Sequence, residues 1–561
     1  MPSTFLLIVV NIAYMHICIG PAVERGIDLW SPFCFVCFDA SVLFLVCYLL
    51  SLGRMKIAAT IGVVSSLLWS ILNVLYGRYF GIYFNYHTLT EARNLADGFM
   101  WDSVASGLRW SDTIYLIVMA LFGVLLYKIR LEEMSWHGKL RILEVLSITP
   151  VLIIMVYGGG NALRSAASEL RHIENRVRGR SLTPEFREND ILHNGVFCAQ
   201  LFDDYILSGE RIELAADDIG KIKKHVKSTH ESVNLMTPKN KNLIFILVES
   251  YLSVSSDMKI NGEEVTPFLN KLRHEEGVYF NDSVTSNIEL GVSGDGQFIY
   301  MTGLLPLRGR VTTSRVAKNL LPSLPNLLNK AYGLYTMMTI PTLPTLWMQS
   351  DMCKVYGIEQ LYSTNDMDFS VNDSTIMDFS LDNELALTNK TFFHTILTIS
   401  MHGPYKHRNS GNFVFPSYFS PEFCSYLMQC RYTDRQIGRF LQKLSDNGLY
   451  ENSVIVIASD HEAHTENLNI DENYSGNKRL PLYIINSGMD LDKCWYGKMN
   501  QMDLFPTLLD IFGINSEWRG LGCSIIDSAS YKNRLCEETH QVSEKIIDSD
   551  YFRKYTVNDE D

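Results

Sequence analysis

The sequence lacks several features that would place it in common protein classes. No block of Lys and Arg is interleaved with aromatic residues, and 62 acidic residues outnumber 49 basic ones, for a net charge of −13. This balance argues against nucleic acid as a partner. The eleven cysteines show no spacing typical of a zinc knuckle. No small-residue cleavage site follows the first apolar segment, which predicts a retained span rather than a removed signal peptide.

Long hydrophobic runs are present, and they lie in the first 160 residues. Five stretches approach the roughly 20 residues that a helix needs to cross a bilayer. They are 4–20, 32–52, 57–77, 112–129 and 142–158. Basic residues concentrate in the second and fourth connectors, which predicts a cytoplasmic N-terminus. Five spans then place the rest of the chain on the extracytoplasmic side, although a cluster of arginines follows the fifth stretch.

The remainder divides by composition into three parts. Residues 161–237 are predicted to form a linker with an amphipathic helix near the membrane surface or, equally, an ordinary solvated helix. Residues 238–530 alternate apolar strands with amphipathic helices, which is typical of an α/β domain with a largely parallel sheet. The strands are expected at 242–248, 334–340, 392–399, 453–458 and 481–485. Residues 531–561 are polar, and we expect a poorly ordered tail.

Two of these apolar strands end on residues that bind metals. The run 242–248 is followed by Glu249, and the run 453–458 is followed, after Ser459, by Asp460 and His461. If both strands end at one edge of the sheet, these side chains can assemble a divalent metal site, because carboxylate and imidazole ligands suit Mn, Zn or Mg-like ions. A polar residue that merely marks a strand end is the structural alternative.

Ser293 is the candidate nucleophile. It stands in the Gly-bearing turn Gly291-Val-Ser-Gly-Asp-Gly-Gln297, where helix N-terminal amides and glycines are suited to a phosphate. The alternative is a plain N-cap. A serine hydroxyl is a weak nucleophile at neutral pH, so a catalytic role requires a metal or base, which Glu249, Asp460 and His461 can supply.

Short motifs in a fixed order resemble those of a known family. They are Val248-Glu-Ser250, Ser293-Gly-Asp-Gly-Gln297 ahead of Gly303-Leu-Leu-Pro306, Ser400-Met-His-Gly-Pro404, Ser459-Asp-His461, and Gln501-Met-Asp-Leu-Phe-Pro-Thr-Leu-Leu-Asp510 with Arg519-Gly-Leu-Gly522. Together they resemble the lipoteichoic-acid-synthase-like membrane phosphotransferases of the alkaline phosphatase and sulfatase superfamily. The resemblance covers nearly the whole chain. It implies a five-helix transmembrane domain over residues 1–160 and an extracytoplasmic sulfatase-like α/β domain, anchored in a bacterial inner (cell) membrane.

The resemblance also implies roles for individual residues. One divalent ion, Mn²⁺ foremost with Zn²⁺ or Mg²⁺ as alternatives, would be held by Glu249, Ser293, Asp460 and His461. Ser293 would be the nucleophile. His402 would contact the substrate phosphate or assist the leaving group.

A headgroup pocket is implied as well, with one departure from the family pattern. Trp347 falls where the phosphoglycerol-using members carry a tryptophan that lines this pocket. The synthases have threonine in place of Ser293, which preserves the chemistry, and an arginine where this chain has the substrate-facing Gln349. Without that cation a phosphate or glycerol contact is missing, which puts glycerol phosphate as the donated group in doubt.

The function implied is transfer of a phospholipid headgroup, phosphoglycerol or phosphoethanolamine, to a glycan, lipid or polymer acceptor of the cell envelope through a phosphoserine. The alternatives are a phosphodiesterase or sulfatase-like hydrolase of the same fold, and an inactive envelope scaffold. Ser293 lacks the Pro and Arg that sulfatases need after the modified residue, which disfavours sulfate esters. The run from His461 to His464 does not have the histidine spacing of a zinc protease.

Overall fold

A computed structural model gives the fold of the chain. It describes residues 7–15, 18, 30–80, 84, 108–128, 212–230, 235–236, 241–308, 310–367, 370–387, 390–403, 405, 413–463, 468 and 478–555. The chain divides into two compact units, which are Met1–Ala92 with Gly98–Glu210, and Arg93–Asp97 with Arg211–Asp561.

The described part of the first unit is mostly helical, with a turn at residues 51–53. Its helices are α1 (residues 7–15), α2 (Trp30–Leu50), α3 (Met55–Phe80) and α4 (Trp110–Lys128). They overlap four of the five stretches predicted as spans. Among the described residues, one helical segment, Ile57–Arg78, is long and apolar enough to cross a membrane. The stretch 142–158 lies outside the described residues, so the number of five spans stays a prediction.

Polar side chains connect these apolar helices. The Asn11 amide on α1 donates to the Ser66 hydroxyl on α3 at 2.7 Å. The Arg78 guanidinium on α3 donates to both oxygens of Asp112 on α4, at 2.5 and 2.9 Å. In an apolar helical unit such groups are costly unless they are paired, so these contacts fix which helices are neighbours.

The second unit is built on an eight-stranded sheet. In chain order its strands are β1 (Asn242–Val248), β4 (Val278–Thr285), β5 (Tyr335–Thr339), β6 (Gln360–Tyr362), β7 (Phe392–Leu397), β8 (Ser453–Ser459), β9 (Arg479–Ile485) and β10 (Met499–Asn500), while β2 (Lys259–Ile260) and β3 (Glu263–Glu264) pair separately. Across the sheet the order is β10-β4-β9-β8-β1-β7-β5-β6. Strands β8, β1, β7, β5 and β6 run parallel, and β9 is antiparallel to β8 and β4. The α/β class and all five predicted strands are confirmed.

Helices flank this sheet. They are α5 (Ala216–His230), α6 (Pro267–Leu272), α7 (Ser293–Thr302), α8 (Thr312–Val316), α9 (Leu324–Tyr332), α10 (Gln349–Tyr356), α11 (Asp373–Ala386), α12 (Pro421–Asp446), α13 (Leu504–Ile511), α14 (Glu537–Ser549) and α15 (Tyr551–Tyr555). Every residue of β1 and β8 is buried, which explains why these parallel strands read as uninterrupted apolar runs in the sequence. Residues 161–211, where the amphipathic linker helix was expected, lie outside the described residues.

The C-terminal segment differs from the poorly ordered tail expected after residue 530. It folds into α14 and α15, and the α14 side chains Val542, Ile546 and Ile547 are buried in the main core. The acidic side of α14 is paired as well, since Arg308 Nε donates to Glu544 Oε1 at 2.8 Å. The expectation of a poorly ordered tail was therefore wrong for these helices. The segment is polar in composition, but the few apolar residues of α14 share one face of the helix and are buried.

Candidate metal and nucleophile site

The carboxyl ends of three neighbouring parallel strands deliver the candidate site residues. Val248 of β1 stands opposite Ser459 of β8, so Glu249 and Asp460 leave the sheet side by side. Strand β7 lies on the other side of β1 and leads to His402. This is the edge at which open α/β sheets bind their ligands.

Three of the predicted ligands meet as expected. Glu249, Asp460 and His461 are buried and each offers one ligand atom, all within 4.8 Å of one another. Two carboxylates and one imidazole form a donor set that suits a divalent ion. The His461 Nδ1–H donates to the Glu462 carbonyl at 2.8 Å, which turns Nε2 toward the carboxylates and fixes the tautomer that a metal ligand needs.

Ser293 completes the cluster. Its hydroxyl Oγ lies 3.1 Å from His461 Nε2 and donates to Glu249 Oε2 at 3.4 Å. It is the first residue of α7, and the N-cap position belongs to Val292, at φ 43°. The N-cap alternative is therefore wrong, since Val292 occupies that position and the Ser293 hydroxyl contacts Glu249 and His461 instead.

The turn before α7 differs from the phosphate-binding turn expected from sequence, because three of its amides are already hydrogen-bonded within the protein. The amides of Gly294, Asp295 and Gly296 donate to the carbonyls of Gly291 and Val292. In addition, two of the glycines lie against neighbouring protein groups, so the space that they leave is not open to a substrate. A Cβ on Gly294 would lie 3.3 Å from the Trp347 side chain, and one on Gly296 would lie 2.1 Å from the Asp460 carbonyl oxygen.

The three ionisable side chains of this cluster strongly shift one another's pKa values. Burial alone would lower the pKa of His461, but the charges of Asp460 and Glu249 outweigh it and raise that pKa to about 10. Burial and the Glu249 charge raise the pKa of Asp460 to about 7. Burial pushes the pKa of Glu249 upward, yet the adjacent His461 holds it well below its usual range. Mutual shifts of this kind are typical of functional sites.

The remaining predicted residues lie around this cluster. His402 is half-buried, its Nδ1–H donates to the Gly403 carbonyl at 2.6 Å, and its charge contributes to lowering the pKa of Glu249. Trp347, at φ 48°, packs against Gly294 beside the nucleophile. Gln349 is buried, and its amide donates to Gln297 of α7 at 2.9 Å.

Two positioning residues were missed by sequence reasoning. The Gln501 amide donates to the Asp460 carbonyl at 2.7 Å. Ser250 contacts both ligand carboxylates, through its hydroxyl to Glu249 Oε1 and its amide to Asp460 Oδ1. Both residues stand inside motifs that the sequence displays, but nothing in either motif indicates which partner each side chain contacts.

The chain is similar to known proteins in sequence and in fold. Residues 241–514 match the family model described as Sulfatase. The chain is similar to lipoteichoic acid synthase 1 of Bacillus subtilis (strain 168), with 25% identity over 523 residues that cover 86% of this chain and 77% of that protein. It is also similar to the lipoteichoic acid synthase of Staphylococcus saprophyticus, with 26% identity over 473 residues, 79% of this chain and 71% of that protein.

One solved structure matches almost the whole chain. It is the integral membrane protein lipooligosaccharide phosphoethanolamine transferase A from Neisseria meningitidis, with a TM-score of 0.53, 15% identity and coverage of 96% of this chain and 98% of that one. At this identity the likeness concerns the fold.

Proposed function

Because this chain belongs to the alkaline phosphatase and sulfatase superfamily as a lipoteichoic-acid-synthase-like phosphotransferase, we propose that it moves a phospholipid headgroup to a cell-envelope acceptor through a phosphoserine at Ser293. The observation that carries the proposal is the position of the Ser293 hydroxyl, 3.1 Å from His461 Nε2 and 3.4 Å from Glu249 Oε2. A hydroxyl at the edge of a metal-ligand cluster is placed for activation as a nucleophile.

One divalent ion fits the donor set. Glu249, Asp460, His461 and Ser293 would hold it, and Mn²⁺ is the ion we propose, with Zn²⁺ or Mg²⁺ as alternatives. When bound, the ion lowers the pKa of the serine hydroxyl and offsets charge on the phosphate. The residues that surround these ligands are hydrogen-bonded into place, as a metal centre requires.

The first half-reaction uses residues of this chain. Ser293 Oγ, which has released its proton to solvent, attacks the phosphorus of the lipid headgroup as an alkoxide. The Oγ–P bond forms, and the bond between phosphorus and the diacylglycerol oxygen breaks. That oxygen takes a proton from His402, whose ring is held by the Gly403 carbonyl. Diacylglycerol is released, and the headgroup phosphate remains on Ser293.

The second half-reaction reverses these roles. His402 accepts the proton of an acceptor hydroxyl, which attacks the phosphorus and breaks the Oγ–P bond, so Ser293 and His402 return to their starting states. His402 thus acts as a general acid in the first half-reaction and as a general base in the second. The acceptor is a glycan, lipid or polymer of the envelope.

Two residues are proposed to line the headgroup pocket. Trp347 stands against Gly294, one residue from the nucleophile, and offers an apolar wall. Gln349 is neutral and bonded to Gln297, so this wall carries an amide pair instead of a fixed cation. A headgroup with its own positive charge, such as phosphoethanolamine, needs no cation there, which favours it over phosphoglycerol.

The membrane setting follows from the donor. A phospholipid donor resides in the bilayer, and a multi-pass anchor in the bacterial inner membrane keeps an extracytoplasmic domain close to it. Helices α1 to α4 are the described part of this proposed anchor.

The test is turnover of a headgroup-labelled phospholipid by the full chain in proteoliposomes. We expect Ser293→Ala to abolish transfer, whereas Ser417→Ala, at an exposed serine of the same unit, retains it. Free headgroup phosphate released without an acceptor would indicate hydrolysis instead. Full activity of Ser293→Ala would contradict the covalent mechanism.

A further inference from the structure

Ser250 is the residue on which the two ligand carboxylates converge. It is 4% exposed, and each of its polar groups has a partner. Its hydroxyl donates to Glu249 Oε1 at 2.6 Å, its amide donates to Asp460 Oδ1 at 2.9 Å, and its carbonyl accepts from the Tyr426 hydroxyl at 3.0 Å. The Tyr426 contact restrains the peptide that follows Ser250, next to the two groups that donate to the carboxylates.

Because of these contacts, the two oxygens of each carboxylate are not equivalent. One oxygen accepts a hydrogen bond from Ser250, and the other, called the facing oxygen, does not. Asp460 Oδ1 accepts from the Ser250 amide and from the His461 amide at 2.7 Å, while Oδ2 lies 3.5 Å from His461 Nε2. Two donors fill the lone pairs of one oxygen. Asp460 is thus left with Oδ2 as its ligand atom.

The two oxygens of Glu249 also have different partners. Its Oε1 accepts from the Ser250 hydroxyl and also lies 3.3 Å from His461 Nε2, while Oε2 is the oxygen that accepts from Ser293. A short hydroxyl contact of 2.6 Å to an ionised carboxylate is among the stronger hydrogen bonds in proteins. It opposes rotation of the carboxylate to present both oxygens to an ion.

We infer that Ser250 is a positioning residue that holds Glu249 and Asp460 as one-oxygen ligands, and thereby keeps the metal site at low coordination number. The inference rests on the metal site of the proposed function. With Ser293 Oγ and His461 Nε2, the two facing oxygens make a set of four donor atoms. Four mixed N and O donors are the number that zinc accepts in tetrahedral sites, whereas Mg²⁺ and Ca²⁺ require more oxygens.

Loss of the hydroxyl should therefore change selectivity as well as affinity. Without it, Glu249 can turn and bind through both oxygens, which adds a ligand. Ions that need more oxygens then lose less affinity than Zn²⁺ does. Removal of a residue that orients a ligand typically costs about 10- to 100-fold in metal affinity.

The backbone of Ser250 supplies a second variant. Its φ of 51° is in the left-handed region, which glycine adopts without strain. Ser250→Ala removes the hydroxyl and keeps the strain, whereas Ser250→Gly removes both. Both variants keep the amide that holds Asp460, so a loss common to the two reports on the hydroxyl.

The experiment is titration of the metal-free full chain in detergent with Zn²⁺ alone and with Mn²⁺ alone, followed by X-ray absorption to count ligands. Ser253→Ala is the matched control, because Ser253 is a buried serine of the same loop whose hydroxyl has no hydrogen-bond partner among the described residues. We expect Ser250→Ala and Ser250→Gly to raise the Zn²⁺ Kd by about 10- to 100-fold, to raise the Mn²⁺ Kd less, and to increase the ligand count at the bound ion. Ser253→Ala should change neither Kd.

Three results would overturn the inference. The first is a Zn²⁺ Kd that is unchanged in Ser250→Ala. The second is a loss in Ser250→Ala that is absent from Ser250→Gly, because both variants lack the hydroxyl and the loss could not then be due to it. The third is an equal loss for both ions with an unchanged ligand count. Since no donor lipid is present, these outcomes are independent of whether Ser293 carries out transfer or hydrolysis.

Discussion

Gly296 and Asp460 lie in direct contact, because a Cβ built on Gly296 would stand 2.1 Å from the Asp460 carbonyl oxygen. Helix α7, which presents Ser293, therefore rests on the backbone of Asp460, a proposed metal ligand. The same carbonyl accepts from the Gln501 amide at 2.7 Å. The proposed nucleophile and the proposed ligand Asp460 are thus packed directly against each other.

This contact predicts that Gly296→Ala damages the site. The added methyl group must displace backbone, so we expect metal affinity and transfer activity to fall by at least 10-fold and the free energy of unfolding to fall by about 1–3 kcal/mol. Gly220→Ala in α5 is the control, since a Cβ there meets no atom within 4 Å, and alanine in a helix is expected to be neutral or stabilising by up to about 1 kcal/mol. Wild-type activity of Gly296→Ala would show that α7 is not constrained by this contact.

His402 is predicted to transfer protons and not to bind the metal ion. We expect His402→Gln to lower kcat by about 10²- to 10⁴-fold, with the metal Kd within a factor of two of wild type. Steady-state kinetics on labelled lipid and metal titration provide the two readouts. His274→Gln, at an exposed histidine of the same unit, should leave both unchanged. A large loss of metal affinity in His402→Gln would assign His402 to the ligand set instead.

The buried ion pair between Arg519 and Asp510 is predicted to be structural. Both side chains are at most 1% exposed, so Arg519→Met leaves a buried carboxylate without its charge partner, at a cost of about 3–5 kcal/mol. Denaturant unfolding should show this loss, and the double variant with Asp510→Leu should recover much of it. The exposed pair of Lys493 with Asp490 offers a control, because Lys493→Met should cost less than about 1 kcal/mol. Equal losses in the two single variants would contradict the prediction.

Titration of the buried Asp434 carboxyl group is predicted to make the stability of the fold depend on pH. It is buried and accepts from the amides of Phe268 and Leu269, at 3.1 and 2.8 Å, and burial raises its pKa from 3.8 to about 6. The folded state therefore binds the proton more tightly, so this contribution to stability is full below pH 4 and is lost as pH rises to about 6. Thermal unfolding across this range should show a smaller decline for Asp434→Asn than for wild type. An identical decline would exclude Asp434 as its source.

The parts of the fold that the sequence predicts share a physical cause. Strands β1 and β8 are buried on both faces, so they appear as continuous apolar runs. Strand β4 was missed because it mixes apolar and polar residues and is interrupted by a register shift between Asn281 and Val284. Helix α14 was missed because its buried apolar residues are few and lie in a polar sequence.

The candidate site shows a similar division. Glu249, Asp460 and His461 were predictable because each follows a readable strand, and parallel strands end at one edge of a sheet. The contact of Ser250 with Asp460 was not, since it joins residues 210 positions apart. The pairing of Gln349 with Gln297 likewise depends on how α10 and α7 pack, which periodicity does not specify.

Ser293 is proposed to carry the headgroup phosphate during the reaction. The most direct measurement is mass spectrometry of the full chain after incubation with isotope-labelled phospholipid in the absence of an acceptor. We predict one labelled headgroup phosphate on the peptide that contains Ser293, absent from Ser293→Ala and discharged when an acceptor is added. Continued lipid turnover with no adduct on Ser293, or an adduct on another residue, would contradict the account.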